Sequence, residues 1–189
     1  MRIGLDLDGV VFDFVNVMRR TFPSIPKDPA HVDLTEYLSD RDKEIFYKLL
    51  DSPEVFGNLP LVPGMESLIP YFNSQETYVI TSRNMKVHDA TRRQIGAIGL
   101  RPQEILFRYN KTKPVRDYNI DVFIDDQVKH VESLPKEQVV LMPDLAYNRD
   151  FVKQAQEQDR MVFPYHSVIE LADFLKKLEG VAHGGRKER

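Results

Sequence analysis

Two carboxylates one residue apart, Asp6 and Asp8, end a short apolar run and are followed at once by Gly9 in the stretch Arg2-Ile3-Gly4-Leu5-Asp6-Leu7-Asp8-Gly9-Val10-Val11-Phe12-Asp13. Alternate side chains of an extended strand share a face, so both acids project together from its carboxyl end, and glycine lets the chain turn sharply. Acids held side by side repel each other. That cost is tolerated where a cation neutralises them, or where one carboxylate attacks while the other handles a proton. Asp-Gly after a strand is also an ordinary chain reversal, so the pair on its own reads equally well as a turn.

Two later apolar runs end in related chemistry. Thr77–Ser82 leads into Arg83 and Asn84, and Val122–Ile124 leads into Asp125 and Asp126. Between them lies the basic turn Arg108-Tyr109-Asn110-Lys111-Thr112-Lys113, just ahead of Pro114, which suits a first helical position. Thr81 and Ser82 taken singly would read as a helix cap. Jointly, the three strand ends and the lysine supply oxygens for a hard cation, hydroxyls and amides for an anion, and a compensating positive charge. A phosphate with Mg²⁺ is the natural occupant.

Strands ending on one edge are needed to gather these groups. Arg2–Asp6, Thr77–Ser82, Ile105–Phe107, Val122–Ile124, Val139–Met142 and Met161–Phe163 read as strands, with helices expected over Val11–Thr21, Asp40–Leu50, Met65–Phe72, Val87–Ile98, from Pro114, and over Ser167–Leu178. Continuously apolar strands alternating with helices imply an α/β fold, a parallel sheet with helices on both faces, whose ligands bind beyond the carboxyl ends of the strands. From Pro23 to Pro63 the pattern breaks, prolines recur, and only Asp40–Leu50, with Ser39 and Asp42 as a capping box, reads as regular. The expected organisation is a core of residues 1–13 and 61–180, an insert at 14–60 after the first strand, and a flexible tail at 181–189.

The 189 residues carry a net charge of −3 and no cysteine. The charge argues against a membrane surface or long nucleic acid as partner, and any metal must be held by oxygen or histidine. Without a signal-like stretch or an apolar run of membrane-spanning length, a soluble, cytoplasmic protein is expected. His31, His88, His130, His166 and His183 show no ligand spacing and read as surface or packing residues.

The four motifs, in this order and spacing, resemble those of the haloacid dehalogenase (HAD) superfamily of phosphohydrolases: Asp6-Leu7-Asp8-Gly9-Val10-Val11, Ile80-Thr81-Ser82, the Lys111 turn, and Phe123-Ile124-Asp125-Asp126. Within it, the chain is most similar to the 5'(3')-deoxyribonucleotidases. The resemblance implies a Rossmann-like core with a small helical cap at 14–60, and hydrolysis of phosphomonoesters through an aspartyl phosphate. It assigns Asp6 as nucleophile and Asp8 as proton donor and acceptor. Mg²⁺ would be held by Asp6, the Asp8 main-chain carbonyl and a late acid, where alignment favours Asp126 over Asp125. Thr81 would hold phosphoryl oxygens with Ser82, and Lys111 would compensate charge; Lys111 precedes Asp125 by 14 positions and Lys113 by 12, and the longer spacing fits better. Arg83 is a candidate for the substrate phosphate, or for pairing with a surface acid.

A small phosphorylated substrate is therefore expected, best matched by a nucleoside monophosphate. A sugar phosphate or a polynucleotide 3'-phosphate end are the enzyme alternatives. A phospho-accepting receiver domain combines similar residues, but has its paired acids first and its lone Asp in mid-chain, the reverse of the order here.

Overall fold

A computed structural model describes residues 1–184, with side chains to residue 180. Among these residues, β1 (Arg2–Leu5), β2 (Glu76–Thr81), β3 (Glu104–Phe107), β4 (Val122–Ile124), β5 (Val139–Pro143) and β6 (Val162–Tyr165) form one sheet. They pair in the order β3-β2-β1-β4-β5-β6, every pair parallel. The central strand is the one carrying the acidic pair. The chain order reverses direction between β1 and β4, and a crevice at such a switch point is where α/β sheets bind ligands.

The strands are apolar on both sides because both sides are covered. Leu5, Val79, Ile124 and Leu141 share a buried cluster with Phe72 of α4 (Ile69–Ser74), Ile95 of α5 (His88–Ala97) and Leu171 and Leu175 of α9 (Val168–Gly184). Their strand neighbours Ile80, Phe123 and Val140 point the other way. These meet Val115 of α6 (Thr112–Asp117), Val131 of α7 (Val128–Glu132) and Val152 of α8 (Arg149–Glu157).

The insert has its own small core. Met18 of α1 (Phe14–Thr21), Phe46 of α2 (Asp40–Leu50), Phe22, Ile25, Leu34 and Leu38 pack together, and α3 (Pro53–Phe56) closes the segment. Ser39 caps α2 as expected, accepting from the Asp42 amide at 3.2 Å and donating to its carboxylate at 2.7 Å. Entry and exit run side by side as a two-stranded neck. Phe12 pairs antiparallel with Leu61, the Asp13 amide donates to Pro60 O, and the Val62 amide donates to Val11 O, both at 2.9 Å.

Several elements depart from the sequence reading. The first helix starts at Phe14 and not Val11, because the amides of Val10, Val11 and Phe12 all turn back onto Leu7 O in a tight loop. Helices α7 and α8 were not expected; α7 is only one turn and a half, and α8 is polar except for the few residues it buries. The segment expected to be one helix from Met65 to Phe72 is a 3₁₀ turn, Met65–Ser67, followed by α4, with Pro70 in the first turn of α4. Helix α9 continues through 181–184, which had been assigned to the tail, and the rest of that tail, 185–189, lies outside the described residues. Among the described residues no helix is long and apolar enough to cross a membrane.

Side chains of β2, β4 and the loop before β4 close over Gly4. A Cβ there would lie 2.8 Å from Phe123 Cδ2 and 3.1 Å from Ile120 Cγ2. Gly4→Val should therefore cost about 1–3 kcal/mol, seen as a lower urea midpoint with an unchanged slope. An unchanged midpoint would contradict this packing.

Candidate active site

Asp6 stands one residue beyond β1, where its amide still donates to Ile124 O of β4 at 2.9 Å. That ladder bond fixes the carboxylate at the switch point. The Lys111 ammonium, at the start of α6, lies 2.7 Å from Asp6 Oδ2 and 2.8 Å from Asp125 Oδ2, with all three side chains buried. Lys113 instead faces solvent and pairs with Asp117 on its own helix. Of the two lysines, Lys111 is the one at the site.

Burial pushes the Asp6 carboxyl up to about 7; Asp125 adds to the rise and Lys111 opposes it. Burial also acts upward on Asp125, but Lys111 and His130 outweigh it and hold that group below the usual carboxylate range. Asp125 is fully engaged. It accepts from the Gln127 amide at 2.8 Å and lies 3.1 Å from His130 Nδ1 through each oxygen.

Asp126 is in the opposite condition. Tyr147 donates its hydroxyl to Oδ2, while Oδ1 is buried without a hydrogen-bond partner among the described residues. Burial, with Asp125 and Asp6 nearby, pushes its carboxyl well above the ordinary value. The Asp-Gly turn closes onto this residue: Gly9 has φ +83°, and a Cβ there would come within 2.6 Å of Asp126 Oδ2. An orphaned carboxylate oxygen in a group of four acids, Asp6, Asp8, Asp125 and Asp126, fits a hard divalent cation. Asp6, Asp125 and His130 also offer atoms within 4.8 Å of one another. There, however, Lys111 already bridges the two acids and His130 is spent on Asp125, which leaves Asp126 Oδ1 as the buried acid oxygen with no partner among the described residues.

Asp8 is held by Arg83. Nε donates to Oδ2 at 2.9 Å and Nη2 to Oδ1 at 2.7 Å, a bidentate pair on a guanidinium whose side chain is 1% exposed. Arg83 was expected on a substrate phosphate or a surface acid; its partner is the second acid of the first motif. Thr81 Oγ1 accepts from the Arg83 amide at 3.3 Å, and Ser82 Oγ lies 3.3 Å from His130 Nε2.

A cavity of about 690 Å³ opens above these groups. Asp6, Asp8, Thr81, Ser82, Arg83 and Asp126 line it from the core, and Phe14, Leu34, Phe46, Tyr47 and Phe56 form the wall that the insert contributes. Sequence reasoning missed His130, Tyr147 and Lys129, all beside the site. The reading of His130 as a surface or packing residue is corrected here: it is buried, and its ring nitrogens bridge Asp125 and Ser82. Its position five residues after Asp125, on the helix following β4, was the available signal.

The family model for "5' nucleotidase, deoxy (Pyrimidine), cytosolic type C protein" matches residues 1–162. Among curated proteins no match is found. Solved structures with the same fold include a HAD-superfamily hydrolase from Ehrlichia chaffeensis (16% identity, TM-score 0.56, covering 94% of this chain and 96% of that one). A putative beta-phosphoglucomutase from Thermotoga maritima is similar at 18% identity and TM-score 0.58, covering 93% and 98%. A haloacid dehalogenase-like protein from Agrobacterium tumefaciens is similar at 12% identity and TM-score 0.57, covering 96% and 98%. The chain belongs to the deoxy-pyrimidine 5'-nucleotidase family, and its fold is the one seen in these HAD-type structures.

Removing the buried ammonium leaves two acids facing each other. Lys111→Met should destabilise the metal-free protein by about 3–5 kcal/mol in urea denaturation, whereas Lys113→Met should leave the midpoint unchanged. Equal effects would contradict the placement of Lys111 between Asp6 and Asp125.

Proposed function

From that membership, we propose that the chain is a Mg²⁺-dependent phosphatase of deoxyribonucleoside monophosphates, working through an aspartyl phosphate on Asp6. One observation carries this reading: the acids, Thr81 and Ser82 share a single cavity with an aromatic, apolar wall contributed by the insert. The acids on that wall are already occupied. Asp33 accepts from the Thr35 amide and hydroxyl, and Asp51 pairs with Asn84 and Lys86. Phe14, Phe46, Tyr47 and Phe56 on that wall offer aromatic surface that suits a flat heterocycle.

In the proposed chemistry, an Asp6 oxygen bonds to phosphorus as the ester P–O bond breaks, and Asp8 passes its proton to the departing sugar oxygen. Water then attacks the phosphorus, losing a proton to the Asp8 carboxylate. Phosphate leaves and the Asp6 carboxylate is restored. Thr81, Ser82 and neighbouring amides hold the phosphoryl oxygens, and Lys111 offsets their charge. Asp6, the Asp8 carbonyl and Asp126 would hold Mg²⁺, which when bound neutralises part of the acidic cluster and polarises the phosphoryl group. A cytosolic setting follows the family's description.

Turnover of 5'- and 3'-deoxynucleoside monophosphates, ribonucleotides, sugar phosphates and a 3'-phosphorylated oligonucleotide should rank the deoxynucleotides first. A sugar phosphate or the oligonucleotide in first place would contradict the substrate reading. Asp6→Asn should lose at least about 10³-fold in kcat with the fold retained. Chelation should abolish activity and added Mg²⁺ restore it; activity indifferent to chelation would remove the metal.

A further inference from the structure

We propose that Arg83 is a positioning residue that fixes the Asp8 carboxylate for proton transfer and ties it to the neck of the insert. The inference rests on the reading of Asp8 as the proton-transferring group. A carboxylate's terminal torsion is broad and soft, so an acid that must meet a leaving oxygen needs an external constraint. Arg83 supplies one. Its rigid fork bonds both Asp8 oxygens, at 2.9 and 2.7 Å, and so sets the plane of the carboxylate.

The fork is itself held from behind. Nη1 donates to Thr91 Oγ1 at 3.2 Å and to Gln94 Oε1 at 3.3 Å, both buried on α5. With these, four of the five guanidinium N–H donors are committed within the protein. Little is left for a substrate phosphate, one of the two partners the sequence offers this residue.

The guanidinium also lies where the insert joins the core. Its carbon sits 5.1 Å from the centre of the Phe12 ring, on the entering strand of the neck, and 4.7 Å from that of Phe56 in α3. Gln94, which receives Arg83, donates its own amide to Leu59 O on the returning strand at 2.7 Å. Asp8, α5, α3 and the entering strand of the neck thus meet at one side chain, and the returning strand is reached through Gln94. The aromatic wall of the cavity, carried by the insert, is thereby set in register with the proton donor on the core.

The distinguishing readout is dependence on the leaving group. The alkoxide leaving a deoxynucleoside 5'-monophosphate needs a proton, whereas the phenolate leaving p-nitrophenyl phosphate does not, and kcat/KM reports the step in which it leaves. With Mg²⁺ present, Arg83→Lys should lower kcat/KM for the nucleotide by about 10²-fold or more, and for p-nitrophenyl phosphate by less than about tenfold. Inhibition by inorganic phosphate should be unchanged. Thr91→Val, which removes one support of the fork without touching Asp8, should give the same asymmetry at about three- to tenfold, and carries the test if thermal melting shows that Arg83→Lys does not fold. Equal losses on both substrates with weaker phosphate inhibition would make Arg83 a phosphate ligand and overturn the proposal, as would no change on either. A wild-type protein inert towards both substrates would instead remove the phosphatase reading itself.

Discussion

The Lys111 ammonium, buried between Asp6 and Asp125, is the interaction around which the site is arranged. Without it two acids from adjacent strands would face each other in a place where burial already works against their charge. Buried ion pairs of this kind contribute little net stability, because desolvation offsets much of the attraction. Their value here is positional. Lys111 brings α6 onto the edge of the sheet, anchors Asp125 with help from His130, and leaves Asp126 as the acid whose second oxygen lacks a partner.

The acids consequently occupy different environments despite their shared chemistry. Asp6 is buried beside an ammonium, Asp8 is clamped by a guanidinium at the cavity, Asp125 is saturated, and Asp126 is incomplete. Environments that separate like groups are how one site assigns several roles to one residue type. The insert adds what the sheet edge lacks. Its aromatic wall encloses the cavity, and its neck at Phe12 and Leu61 returns to the core within reach of the acidic pair.

Much of this was legible in the sequence. The α/β class, the six strands, the strand-end motifs and the α2 capping box depend on local periodicity and spacing, which a single sequence contains. Lys111 was separable from Lys113 by its distance to Asp125. The partner of Arg83 was not, because Asp8 lies 75 positions away and the pairing exists only once β1 and β2 are adjacent. Tyr147 was hidden in a similar way, 21 positions from Asp126 and on no element of its own, whereas His130, five residues after Asp125, stood close enough to be found. Helix α8 was missed because its few buried positions, Val152 and Ala155, make too short a stripe to register as helical periodicity.

The central claim is that Asp6 accepts the phosphoryl group. Its most direct test is to mix the Mg²⁺-loaded protein with a deoxynucleoside monophosphate, quench within a single turnover, and reduce any acyl phosphate with borohydride before mapping by mass spectrometry. Conversion of Asp6 to homoserine, in proportion to the turnover quenched, is the expected result. Continued release of phosphate with Asp6 unmodified, or phosphate found on Ser82, would contradict the account.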